Sequence, residues 1–203
     1  MTVGIITQAK YRPLVENIRG TKLVDLDNFK YDNLPQFLIN FLGDRIIRDT
    51  TLLKRNIVNF HPAPPSYRGR GGASRALYDR QTTFGITVHI MEAEIDSGRI
   101  LLTKSFSIRA GDTCDSLFGK AISMCVGALY WLLEYIEEEN RLPLPQPISW
   151  SGELWDTKRF QEWLVLRVDF DPVHAQRLIA ATKSTTKPGP YLKAYGHKFE
   201  ITR

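Results

Sequence analysis

Three short stretches limit what this chain can fold into: VGIIT (3–7), QFLINFL (36–42) and IVNF (57–60). A strand with one wet face alternates apolar and polar residues. A strand that is apolar at consecutive positions is buried on both faces, so its sheet needs cover on both sides. KLVDL (22–26) is a weaker run of the same kind. Pro13 opens a short helix that runs to Arg19 and stops at Gly20. RIIRDTTLLKR (45–55) reads as a short helix or turn, and ASRALYDR (73–80) as a helix with Ala76 and Leu77 facing inward. FGITVHIM (84–91) and RILLTKSFSI (99–108) are the longest strand candidates, rich in β-branched residues. Strands alternating with helices predict an α/β layer with a mostly parallel sheet.

The clearest helix follows. Thr113 or Asp115 can cap it, and Leu117, Phe118, Ala121, Ile122, Cys125, Ala128, Leu129, Leu132, Leu133 and Ile136 keep a 3.6-residue period to Glu139. Cys125 falls on the apolar face and Cys114 near the cap, so both thiols read as structural rather than nucleophilic. The proline-rich LPLPQP (142–147) then marks a boundary. The predicted division is a catalytic domain over 1–141 and a small C-terminal subdomain over 142–203. The latter holds a polar helical stretch (157–168) and a turn-rich tail in which Tyr195-Gly196-His197 turns a hairpin.

Composition excludes several classes. Two cysteines make neither a disulfide framework nor a zinc site, so no metal is expected. VGIIT precedes the first basic residues, the wrong order for a secretion signal, and no apolar run reaches the roughly 18 residues of a membrane span. The expectation is a cytoplasmic chain with reduced thiols and no membrane partner. The net charge of +5 is spread out, with no basic arm or stripe. That argues against nucleic acid as a partner, since binding a duplex needs many clustered phosphate contacts. A small anionic substrate and plain solubility remain as explanations.

Chemistry concentrates in NIVNFHPAPPSYRGRGG (56–72) and GITVHIMEAEIDSGRIL (85–101). On a strand, Asn59 and His61 face one side and Phe60 the other. An amide and an imidazole at the end of a strand sit where open α/β sheets place active sites. Asp96, in the Ile95-Asp96-Ser97-Gly98 turn, reads alone as a turn residue. Taken with Asn59 and His61 it completes a set of amide, imidazole and carboxylate, suited to base and oxyanion chemistry.

These blocks resemble the folate-dependent formyltransferases. The matching pieces are Asn59-Phe60-His61-Pro62, Tyr67-Arg68-Gly69, Gly85-Ile86-Thr87-Val88-His89 and Asp96-Ser97-Gly98, in family order and spacing. PQFLINFLGDRII (35–47) resembles the strand and loop before the catalytic strand, and 178–201 resembles the tail of members with an appended C-terminal part. His-Pro-Ala-Pro-Pro-x-Tyr is closest to the branch that formylates nucleotide-linked amino-dideoxy sugars for bacterial surface polysaccharide, such as lipopolysaccharide O-antigen. Only 58 residues precede Asn59, fewer than the family usually has, and no glycine fingerprint follows VGIIT.

The resemblance implies a Rossmann-like formyltransferase fold with an abbreviated N-terminal half, a mostly parallel sheet flanked by helices, and a small C-terminal subdomain with a hairpin. It implies an N-formyltransferase that moves a formyl group from N10-formyltetrahydrofolate to the amine of a nucleotide-linked amino sugar. Asn59, His61 and Asp96 would be catalytic. Gly43, Asp44, Arg45, Ile46, Ile47, Met91 and Ile95 would line the folate. Pro64, Tyr67, Arg68, Gly69 and Arg70 would meet the acceptor. His89 reads as a packed histidine, and Trp150, Trp155 and Trp163 as core residues or platforms for a base. Other acceptors, namely an N-hydroxyornithine side chain or glycinamide ribonucleotide, and an inactive folate-binding relative are the competing readings. The tail hairpin could pair two subunits into a homodimer.

Overall fold

A computed structural model describes residues 2–167, 169–187 and 189–201. In chain order the elements are β1 (Val3–Thr7), β2 (Thr21–Leu23), β3 (Phe37–Phe41), α1 (Thr50–Leu53), β4 (Val58–His61), α2 (Gly72–Tyr78), β5 (Thr83–Ile90), β6 (Ile100–Ser107) and α3 (Cys114–Glu139). They continue with α4 (Thr157–Trp163), β7 (Val165–Leu166), α5 (Pro172–Ala181), β8 (Tyr191–Ala194) and β9 (His197–Glu200). The main sheet has the order β2-β1-β3-β4-β5-β6. All its strands run parallel except β5, which is antiparallel to both neighbours.

The two faces of this sheet do different things. Val3, Ile5, Phe37, Ile39, Phe41, Val58, Phe60, Phe84, Ile86 and Val88 face one side and form a single core with α3. Helix α3 starts in a capping box: the Thr113 side chain accepts from the Ser116 amide, and the Ser116 side chain accepts from the Thr113 amide. It ends at Asn140 in the left-handed conformation. The helix lays Leu117, Ala121, Cys125, Ala128, Leu129, Leu132 and Ile136 on the sheet. Each fully buried leucine there contributes about 2 kcal/mol.

The opposite face starts apolar, with Ile6, Leu38, Ile47, Leu52 and Ile57 in a second, smaller core. One strand step further along, Leu38 gives way to Asn40, and Ile57 to Asn59 and His61. Since alternate strand residues share a face, this is where the apolar floor becomes polar.

Three sequence expectations change. The helical stretch expected over 157–168 ends at Trp163, and Val165–Leu166 instead pairs with β8; Val168, its expected end, lies outside the described residues. The two residues between Leu164 and Arg167 trade a helix end for a strand ladder that satisfies the same backbone groups. The tail expected to be turn-rich contains α5, opened by Asp171 as N-cap and Pro172 in its first turn. The expected helix from Pro13 to Arg19 is a 3₁₀ turn over Ala9–Leu14 with Pro13 inside it. The expected hairpin forms, with β8 and β9 joined through Tyr195-Gly196. Helix α5 packs on α2, where Arg177 Nε donates to the Tyr78 carbonyl and Tyr78 Oη bonds His174 Nδ1. Pro188, part of the tail resemblance, is also outside the described residues, as are Met1 and the final two positions of the predicted domain division.

Candidate active site

Register brings the polar residues together. Asn40 pairs across from Asn59, and Asn59 from His89. A β-bulge between Val88 and His89 re-aims the end of β5. The loop after β5 folds back over the same face and delivers Asp96, which sits in the left-handed conformation at φ 48°. Aspartate tolerates that region because its short side chain can bond locally. Gly98 lets the loop lie close, because a Cβ there would come within 1.9 Å of the Ile90 carbonyl oxygen.

Asp96 is 7% exposed and His61 7% exposed. Asp96 Oδ2 accepts from the Gly69 amide at 2.8 Å and lies 3.3 Å from His61 Nδ1. Its Oδ1 lies 3.5 Å from His89 Nε2. Burial pushes the Asp96 carboxyl up, but the charge that His61 takes on in acid, the nearby His89 ring and the Gly69 amide outweigh it and bring it down to about 2. His61 moves below its usual 6.5 because burial disfavours the imidazolium more than Asp96 favours it. His61 is therefore neutral at pH 7 and carries one N–H. Nε2 uses it, donating to the Tyr67 carbonyl at 2.9 Å. Nδ1 then presents a lone pair to a carboxylate across 3.3 Å. The pair is one proton short, and a proton entering that gap satisfies both groups.

Asn59 is held by its neighbours. Its Oδ1 accepts from Asn40 Nδ2 at 2.7 Å, and its Nδ2 donates to His89 Nε2 at 3.0 Å. One N–H of that amide remains for another acceptor. Trp150 closes the group. Its Nε1 donates to the Gly98 carbonyl at 2.7 Å, and its ring stands edge-on to His61 and His89, with centroids 5.7 Å and 4.8 Å away.

The remaining predicted residues are placed as follows. Arg68 does not face an open acceptor space. Its Nε donates to the Asp96 carbonyl at 2.6 Å, and its NH2 group reaches the Ile95 carbonyl and the Glu94 carboxylate. It clamps the Asp96 loop. Tyr67 is buried with its hydroxyl on Asp79, and its part at the site is its carbonyl. Gly69 donates its amide to Asp96, and at φ 76° it packs against the Trp155 carbonyl. Arg70 is exposed and Pro64 half-buried on the same loop. Ile47 packs in the second core rather than lining an open surface, and Met91 packs beside that core. Gly43 abuts the Asn40 side chain. Asp44 and Ile46 are exposed, and Ile95 is half-buried. Arg45 pairs with Asp27 at the edge of a cavity of about 590 Å³ that Thr7, Gln8, Arg12 and Asp25 also line.

The sequence alone singles out neither Asn40 nor a site role for His89, which reads as packed, and it leaves Trp150 open between core residue and platform for a base. A lone amide in an apolar strand was the available signal for Asn40. The pairing of β4 with β5, which sequence alone does not register, was needed for His89.

Comparison with known proteins adds the following. Residues 37–124 match the family model described as formyl transferase. The chain is 32% identical over 181 residues to the GDP-perosamine N-formyltransferase of Brucella melitensis, covering 82% of this chain and 67% of that protein. It is 30% identical over 149 residues to the methionyl-tRNA formyltransferase of Borreliella burgdorferi, covering 69% of this chain and 47% of that one. The chain thus spans about half the length of the latter relative. Among solved structures, a sugar N-formyltransferase from Shewanella shares the fold with a TM-score of 0.79 at 16% identity, over 99% of this chain and 96% of its own. An N-formyltransferase from Helicobacter canadensis, solved with folinic acid and dTDP-3-aminofucose, has a TM-score of 0.66 at 14% identity, over 98% and 86%.

Proposed function

This chain belongs to the formyl transferase family, and we propose that it moves a formyl group from N10-formyltetrahydrofolate to the primary amine of a nucleotide-linked amino sugar. The observation that carries this reading is the meeting of Asn59, His61 and Asp96 on one sheet face, from two segments far apart in sequence. The sugar acceptor is supported by the GDP-perosamine enzyme, which matches more of this chain than the methionyl-tRNA enzyme does. The Helicobacter structure supports the pairing of a folate with a nucleotide sugar on this fold. The reaction would take place in the cytoplasm and supply surface-polysaccharide synthesis.

The amine attacks as the neutral base, since an ammonium has no lone pair. Its nitrogen bonds to the formyl carbon, and the carbonyl oxygen becomes an oxyanion. The free N–H of Asn59 donates to that oxygen, a contribution of about 3 kcal/mol for such a donor. The nitrogen, now positive, loses its proton to the gap between His61 Nδ1 and Asp96 Oδ2. Asp96 favours the imidazolium, and the Tyr67 carbonyl holds the other ring nitrogen in place. Collapse of the tetrahedral carbon breaks its bond to folate N10, which takes the proton back. Bringing the two reactants together supplies a further 7–11 kcal/mol or so. Gly43, which abuts Asn40, and Asp44, Arg45, Ile46, Met91 and Ile95 would hold the folate. Pro64, Gly69 and Arg70 would border the acceptor.

A panel of GDP- and dTDP-linked amino sugars, methionyl-tRNA, glycinamide ribonucleotide and N-hydroxyornithine, each with formyltetrahydrofolate, tests the reading. The expected result is the mass gain of one carbonyl on an amino sugar only. Folate binding with no acceptor formylated would identify an inactive relative instead.

A further inference from the structure

We propose that Asn40 is a positioning residue that fixes which way the Asn59 amide faces, and through it the proton state of His89. The inference deepens the transferase reading and rests on it for its kinetic arm.

Strand β3 is otherwise apolar: Phe37, Leu38, Ile39 and Phe41 are buried, and Asn40 is buried among them. Asn40 Nδ2 donates to Asn59 Oδ1, Asn59 Nδ2 to His89 Nε2, and His89 Nδ1 to the Ile90 carbonyl at 2.8 Å. The direction of this chain follows from its ends. A backbone carbonyl only accepts, so His89 Nδ1 carries a proton. Asn40 presents N–H to Asn59, so Asn59 turns its oxygen toward β3 and its NH2 toward the site.

A competing arrangement exists. Asp96 Oδ1 lies 3.5 Å from His89 Nε2 and would draw a second proton there. His61 shares the same carboxylate, and Trp150 packs on both rings. A protonated Nε2 would call for the Asn59 oxygen, and the amide would turn over, leaving no N–H for an oxyanion. Asn40 opposes that turn by holding the oxygen.

The arrangement leaves the Asn40 Oδ1 atom buried and unpaired. A leucine or valine at this position would fit β3 without that penalty. Gly43 makes the room, since a Cβ there would come within 2.0 Å of Asn40 Oδ1.

The experiment compares the parent with Asn40→Asp and Asn40→Leu, reading the His89 imidazole by long-range ¹⁵N–¹H NMR without ligands and formyl transfer by steady-state kinetics. The parent is expected to show the His89 tautomer with its proton on Nδ1. In Asn40→Asp the carboxylate attracts the Asn59 NH2 group, the amide turns over, and Nε2 gains a proton. kcat is expected to fall about 100-fold, the range for loss of one oxyanion donor, with both KM values within threefold. Asn40→Leu is compatible with an apolar strand and serves if the aspartate variant does not fold. In it nothing holds the Asn59 oxygen toward β3, so the His89 Nε2 signal is expected to differ from the parent's, and kcat to fall by less than the roughly 100-fold or more of a fully lost donor. An unchanged His89 spectrum in the folded variants overturns the proposal, as does a changed spectrum with parental kcat. A changed spectrum in a protein that formylates nothing overturns the transferase reading and leaves the role of Asn40 standing.

Discussion

Replacing Asp96 by Asn separates the two things its carboxylate does. The amide is isosteric, and its oxygen can still accept from the Gly69 N–H. The loop is therefore kept and the charge beside His61 is lost. His61 Nδ1 then faces a neutral oxygen, and the imidazolium that takes the amine proton has no counter-charge. Positioned general bases contribute about 10²–10⁴-fold, and kcat for formyl transfer is expected to fall by that range. The same change alters acid stability. Asp96 is held down to about 2 in the folded protein, against an ordinary value of 3.8. A folded pKa below the unfolded one adds stability above the unfolded value and loses it as pH falls through the folded one. The difference amounts to roughly 2 kcal/mol, of which about 1 kcal/mol is gone by pH 3. Urea unfolding of parent and Asp96→Asn at pH 6 and pH 3 reads this directly. The parent is expected to lose about 1 kcal/mol more than the variant between the two pH values. A variant with turnover within threefold of the parent, or with the same pH 6 to pH 3 loss, refutes the arrangement of Asp96 and His61 as drawn.

Three further outcomes are expected. Because burial lowers the His61 pKa below 6.5, the parent should keep its neutral base somewhat below that pH; Trp150→Ala admits water and should move the acid limb of the pH–rate profile upward, measured as log kcat against pH. Arg68→Ala releases the carbonyls of Ile95 and Asp96, and should destabilise by about 2 kcal/mol in urea unfolding, as for hydrogen bonds to a charged group, with kcat falling more than the acceptor KM rises. Burial pushes the Cys125 thiol up and Cys114 is buried at the start of α3, so iodoacetamide should label neither under native conditions and turnover should be unchanged.

Some of this was legible in the sequence because the physics that fixes it is local. Apolar residues on both sides of the chain at 37–41 and 57–60, each run interrupted by one asparagine, point to strands covered on both faces, and the period from Leu117 to Ile136 requires a helix with one buried stripe. The division of labour between the sheet faces was not legible, because it depends on which strands neighbour each other. Leu38 and Asn40 share a face by periodicity, but only the order β3-β4-β5 turns Asn40, Asn59 and His89 into one hydrogen-bonded row. For the same reason a histidine that reads as a packing residue lies against the carboxylate. The start of α5 was readable in Asp171-Pro172. The break after Trp163 was not, since its cause is a ladder with a strand 25 residues further on.

Arg68 shows how much a residue's role depends on partners that the sequence does not name. A guanidinium beside a candidate acceptor space reads as an anion receptor, because its planar fork matches phosphates and carboxylates. Here the fork is spent on two backbone carbonyls and Glu94, all in the loop that carries Asp96. That loop needs holding. Asp96 occupies a conformation few non-glycine residues adopt, and its carboxylate must stay 3.3 Å from an imidazole that shows it a lone pair until a proton arrives. Nothing in that pair favours closeness before the proton transfer. The closeness is imposed from outside, by Arg68 on the loop backbone, the Gly69 amide on Oδ2 and the Trp150 indole on the Gly98 carbonyl. A site arranged in this way stores its readiness in the clamps rather than in the catalytic groups. Weakening the Arg68 or Trp150 clamp should therefore slow the chemical step even though both bond only to backbone carbonyls and Glu94 of the loop.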